Sequence, residues 1–184
     1  MYYTEGLITE IRLPDLQWQT MLSHCRRKLN RDYQDGECED LKAFGLLAGR
    51  VQDKHLLIGS VTPLLKNSRC STTKKEYMDG MMDRHAVESE TPNCQRGWVA
   101  DPTELRQVLD NYRDQNMQLS GAYHMHRVAW DHDQERDTPT DLDTKLGKNS
   151  RIFMFIISMV IPEQPVVRAF FEGDSQQEVP VHID

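Results

Sequence analysis

The 184-residue chain has no Cys-x-x-Cys pair. Its four cysteines, Cys25, Cys38, Cys70 and Cys94, are scattered, which excludes a zinc ribbon and a disulfide-dense secreted scaffold. Buried, inert thiols in a reducing cytoplasm are the expectation. Cations are also short: Lys+Arg total 22 against Asp+Glu 29, a formal charge of -7. Such a balance lacks the basic face that a general nucleic-acid or anionic-membrane binder needs. Long apolar runs are missing too. The most apolar segment, 152–161, is about half the ~20 residues of a membrane helix and reads as a buried strand. No basic stretch followed by an apolar run opens the chain, so no signal peptide is expected. No repeat and no low-complexity linker divides it. What is present is enough for one core over 1–184, since a chain of this length buries roughly 70% of its unfolded surface. With 38% hydrophobic residues, including three Trp, six Tyr and five Phe, it is not a disordered tail.

Ile8, Glu10, Ile11 and Leu13 predict an opening strand. From Pro14-Asp15 onward, Trp18, Met21, Leu22, Cys25 and Leu29 recur at helical spacing. Residues 31–40 are polar and contain Gly36, which predicts a loop. The runs 44–49 and 56–61 flank a charged turn and read as a hairpin. Segment 67–97 carries no assignable period, and Met78, Met81 and Met82 in it are expected to fill gaps in a core or meet a partner. Asp101-Pro102-Thr103-Glu104 predicts a helix start with a capping box, continued by Leu105, Val108, Leu109 and Tyr112. Strands are predicted over 119–130, 150–161 and 166–172. Interleaved helices and strands place the chain in the α/β or α+β class, with a single mixed β-sheet flanked by helices.

The most informative residues for chemistry are Tyr123-His124-Met125-His126. Strand side chains alternate faces, so His124 and His126 point to one side, and two imidazoles on one side suit a borderline metal such as zinc. A catalytic zinc site needs a third protein ligand and an open position. Asp143 is the candidate, three residues after Thr140 at a helix start.

A strand ending in His124-Met125-His126, a loop, and then Pro139-Thr140-Asp141-Leu142-Asp143 resembles the zinc signature of the JAMM/MPN+ metallopeptidase family. Phe44-Gly45-Leu46-Leu47-Ala48-Gly49 is similar to that family's Gly-Leu-Leu-x-Gly strand. Asp101-Pro102-Thr103-Glu104-Leu105, leading to Gly121-Ala122-Tyr123-His124, is similar to the helix and strand before its metal site, and 156–170 to its closing hairpin. The resemblance implies Zn2+ held by His124, His126 and Asp143, with Thr140 in the place of an oxyanion-stabilising Ser. It implies hydrolysis of a peptide or isopeptide bond, with the tail of a ubiquitin-like protein as substrate and partner.

The family's general base is a Glu three residues before the first Gly of Gly-Leu-Leu. Here that position is Lys42, whose ammonium repels a metal and is no base unless its pKa is strongly depressed. Glu39 is the replacement singled out, with Glu37 and His132 as alternatives; Asp131 and Asp133 lie in the same acidic loop as His132. Two functions follow: an active zinc metallopeptidase, or a degenerate domain that keeps the fold, and with it the metal or not, as a binding or scaffold module.

Overall fold

Strand alternation sorts the core onto the two faces of one sheet. The computed structural model describes residues 7–184. Its strands are β1 (Glu10–Leu13), β2 (Phe44–Gln52), β3 (His55–Pro63), β4 (Gln118–His126), β5 (Phe153–Ser158), β6 (Val166–Phe171), β7 (Glu178–Val179) and β8 (Val181–Ile183). Its α-helices are α1 (Asp15–Asn30), α2 (Thr72–His85), α3 (Pro102–Asp114) and α4 (Asp141–Gly147). The sheet order is β7-β6-β5-β4-β2-β3-β1-β8. It is mixed: β1 runs parallel to β3 and β8, β4 runs parallel to β5, and the other neighbours are antiparallel. β6 and β8 approach each other, so the sheet curls toward closure.

One face carries Ile11, Leu47, Leu56, Tyr123, Phe155 and the buried side of α1. The other carries Phe44, Leu46 and Ala48 against Val108 and Tyr112 of α3. Along β4, Tyr123 therefore points toward α1, and His124 and His126 share the opposite face with Ala122. The β2–β3 hairpin turns on Asp53 and Lys54, both with positive φ (49° and 66°), the pair of left-handed residues that matches strand twist in a two-residue turn.

Several expectations need correction. β4 stops at His126 rather than running to 130, because the next segment folds back to bond Arg136 to the strand end. Glu104 does not complete a capping box. Asp101 caps α3 by accepting from the Thr103 and Glu104 amides, and the Glu104 carboxylate instead accepts from the Leu65 and Lys66 amides at 2.8 and 3.0 Å. Segment 67–97 is organised by Arg69, 1% exposed, which donates to Asp79 and to the Arg96 and Asn93 carbonyls. Met78, Met81 and Met82 join α2 to Leu142 of α4 in a separate apolar cluster. Cys25 is buried, with burial pushing its thiol up to about 12, but Cys70 and Cys94 are exposed. No helix among the described residues is long and apolar enough to cross a membrane.

Candidate metal centre

Three elements bring the donors together. β4 supplies His124 and His126, whose Nε2 atoms stand 3.0 Å apart. α4 supplies Asp143 from its first turn, with Oδ1 3.4 Å from His124 Nε2 and Oδ2 3.9 Å from His126 Nε2. With one ligand atom taken from each residue, the three lie within 4.8 Å of one another, a group that could hold a metal ion. The loop between β4 and α4 orients the inner imidazole: His126 Nδ1–H donates to the Arg136 carbonyl at 2.9 Å, which leaves the Nε2 lone pair directed at the cluster.

Thr140 does two things at once. Its hydroxyl accepts from the Asp143 amide at 3.3 Å, and its own amide donates to Asp143 Oδ2 at 2.8 Å, completing a capping box. The hydroxyl proton also goes to Asp143 Oδ2, at 2.8 Å. That proton is already committed, so Thr140 acts here as the residue that positions Asp143.

Burial holds both imidazoles below the ordinary histidine range, His126 down to about 3, with the neighbouring His124 and Arg136 adding to the effect and Asp143 opposing it. Neutral imidazoles are the metal-binding form. Burial alone would raise the Asp143 carboxyl, but the facing imidazoles and the Thr140 hydrogen bonds hold it below the usual carboxylate range.

The centre lies in a cavity of about 840 Å³. Lys42 lines it, with its ammonium 3.7 Å from Asp40. The three base candidates are not in the described wall. Glu39 is exposed. Glu37 is buried on the α1 side, taking hydrogen bonds from Arg27 and from the Gln34 amide, both at 2.8 Å. His132 is exposed and stacked on Trp130 at 5.3 Å. Asp131 is exposed, and Asp133 accepts from the Arg136 amide at 2.8 Å.

Sequence reasoning missed Trp98, Trp130 and Arg136. Trp98 stacks on Phe44 at 4.6 Å and tilts against His124, walling the centre with apolar surface. The loop that carries Trp130 and Arg136 is strapped to the sheet, by Ser158 donating to the Glu135 carbonyl and by Arg168 donating to Asp137 at 2.9 Å. These bonds hold Arg136 and Asp137 against the sheet, while Asp131, His132, Gln134 and Glu135 stay exposed. The composition of 131–138, charged or polar throughout, gave no signal of this role.

No protein-family model and no curated protein matches the chain. Among solved structures, a protein of Desulfitobacterium hafniense is similar, with a TM-score of 0.61 and 21% identity over 95% of this chain and 92% of that one. A protein of Salinibacter ruber aligns with a TM-score of 0.46 and 17% identity over 86% and 79% of the respective chains. The first likeness concerns the fold alone.

Proposed function

We propose that the chain is a zinc-dependent, JAMM-like hydrolase acting on a peptide or isopeptide bond, with the tail of a ubiquitin-like protein as the expected substrate class. The observation that carries this reading is the convergence of His124, His126 and Asp143 at the wall of a large cavity. Ligands of one tetrahedral zinc at about 2.0–2.2 Å stand roughly 3.3–3.6 Å apart. The imidazole nitrogens, 3.0 Å apart, and the nearest carboxylate oxygens, Oδ1 at 3.4 Å from His124 and Oδ2 at 3.9 Å from His126, are of that order.

His124, His126 and Asp143 would hold the ion, which when bound supplies Lewis acidity toward a carbonyl and a more acidic water. The chain's own residues do the rest. The Arg136 carbonyl fixes the His126 tautomer, Thr140 fixes the Asp143 carboxylate, and Trp98 excludes water from one side.

A second reading, a metal-holding binding module without turnover, has its own support. Lys42 lines the cavity where the resemblance places a Glu. The described carboxylates of the wall are Asp143 and Glu172, and Glu172 already accepts from the Asn149 and Arg151 amides.

Metal analysis of purified protein and hydrolysis of a ubiquitin-like fusion test both readings. Stoichiometric zinc with turnover supports the hydrolase, and no zinc in any preparation removes it. Zinc without turnover in the wild type, with turnover gained in Lys42→Glu, selects the binding module. Loss of activity in Glu39→Gln would assign that carboxylate the base role after a rearrangement of its loop.

A further inference from the structure

The cavity around the centre has a charge opposite to that of the chain. The whole protein carries -7, yet Lys42, Lys74, Arg96, Arg127 and Arg136 line this cavity against Asp143 and Glu172. Asp143 belongs to the metal cluster, and Glu172 is occupied by two backbone amides. Arg96 donates from Nη1 to the Val87 carbonyl at 2.8 Å and to Asn93 at 3.1 Å.

Arg136 is arranged differently. Its side chain is 10% exposed, and its guanidinium lies 3.4 Å over the Trp130 ring. Its Nε donates to the Val128 carbonyl at 3.2 Å. Its Nη1 is buried with no hydrogen-bond acceptor, and Asp133 Oδ2, at 4.0 Å, is beyond hydrogen-bond reach. A buried charged N–H without an acceptor is costly, and such groups call for a ligand or an ion to complete them.

We propose that Arg136 is the anion anchor of this cavity, its guanidinium taking an oxygen of a carboxylate or phosphate group on the ligand beside the His124, His126 and Asp143 cluster. Stacking on Trp130 and the bond to Val128 fix the guanidinium plane, so the anion meets an oriented donor rather than a mobile ammonium. The Arg136 carbonyl holds His126. One residue thus sets both the anchor and an imidazole, and the anionic group is held at a fixed offset from the cluster. That this group flanks a reacting bond rests on the hydrolase reading, whereas the anion site itself needs neither metal nor turnover.

The test titrates the metal-free and the zinc-loaded full chain with inorganic phosphate and, separately, with N-acetylglycine, following the Arg136 Nε–H and Trp130 indole signals by NMR. A saturable shift of both signals with either anion is expected, and the anion that produces it identifies phosphate or carboxylate as the recognised group. Arg136→Met should raise Kd at least about tenfold, the scale of one charge-assisted hydrogen bond, and Arg136→Lys should fall between. Circular dichroism verifies that the variants are folded, and the wild-type signals decide the matter if they are not. No saturable shift at Arg136 with either anion, or an unchanged Kd in folded Arg136→Met, overturns the proposal. Anion binding without zinc or hydrolysis would leave the anchor standing and remove the hydrolase. Zinc binding and hydrolysis without anion binding at Arg136 would do the reverse.

Discussion

The His126 imidazole donates through Nδ1 to the backbone carbonyl of Arg136, 2.9 Å away, tying the end of a central strand to the loop that closes over it. The bond selects the tautomer whose Nε2 lone pair faces His124 and Asp143, the arrangement that an outer partner gives a metal-binding imidazole.

On the proposed reading, removal of any one of the three donors should abolish zinc binding. His124→Ala, His126→Ala and Asp143→Asn are each expected to reduce bound zinc from one per chain to near zero while the far-ultraviolet spectrum is kept. Full zinc occupancy in any of the three would show that the residue is not a ligand.

Thr140→Val removes the hydroxyl that both caps α4 and donates to Asp143. Loss of the cap should cost about 1 kcal/mol, and loss of the donor should weaken metal affinity roughly 10–100-fold. Thr140→Ser keeps both bonds and should behave as the wild type. Competition with a chelating dye measures the affinity, and equal affinity in the Val variant would contradict the positioning role.

Gly147 packs α4 against the turn that follows β6. A Cβ there would stand 2.3 Å from the Glu172 carbonyl oxygen, a backbone atom with little freedom to yield. Gly147→Ala should lose about 1–3 kcal/mol by overpacking. Because Asp143 rides on the same helix, zinc affinity should fall with it. An unchanged urea midpoint would mean that α4 relaxes freely.

Acid should destabilise the protein through His24. Burial, then the charges of Arg27 and Lys28, lower this imidazole to about 4 against the opposing pull of Glu37. Nδ1 stands 2.7 Å from the Tyr123 hydroxyl, which burial keeps protonated, and Nε2 lies 3.3 Å from Glu37. The unfolded chain therefore takes up the proton first. The stabilisation is fully present above pH 6.5 and is lost as pH falls to about 4, a change of about 3 kcal/mol. Denaturation curves at several pH values should show the gap between wild type and His24→Gln narrowing over that window. A gap that does not change with pH would contradict the buried neutral imidazole.

Much of the candidate centre's geometry was legible because its determinants are local. Alternation alone put His124 and His126 on one face, and the i, i+3 relation of Thr140 and Asp143 gave a helix start that the capping box realises. The helices α1 and α3 followed from apolar spacing for the same reason. Helix α2 was illegible because its order comes from a buried Arg69 and three methionines, not from a periodic apolar stripe. The Glu104 carboxylate was misjudged because a distant loop, at Leu65 and Lys66, claims it.

By itself the sequence determined the mixed α/β class, the pairing of the two imidazoles and the capped carboxylate, all matters of residues within a few positions of one another. Only the tertiary structure decided that Lys42 and Arg136 face the cavity, that Glu37 is taken up behind the sheet, and that an acidic chain encloses a basic pocket. The physical reason is that net charge sums over the whole chain, whereas the field in a cavity is set by the few side chains that long-range packing turns inward.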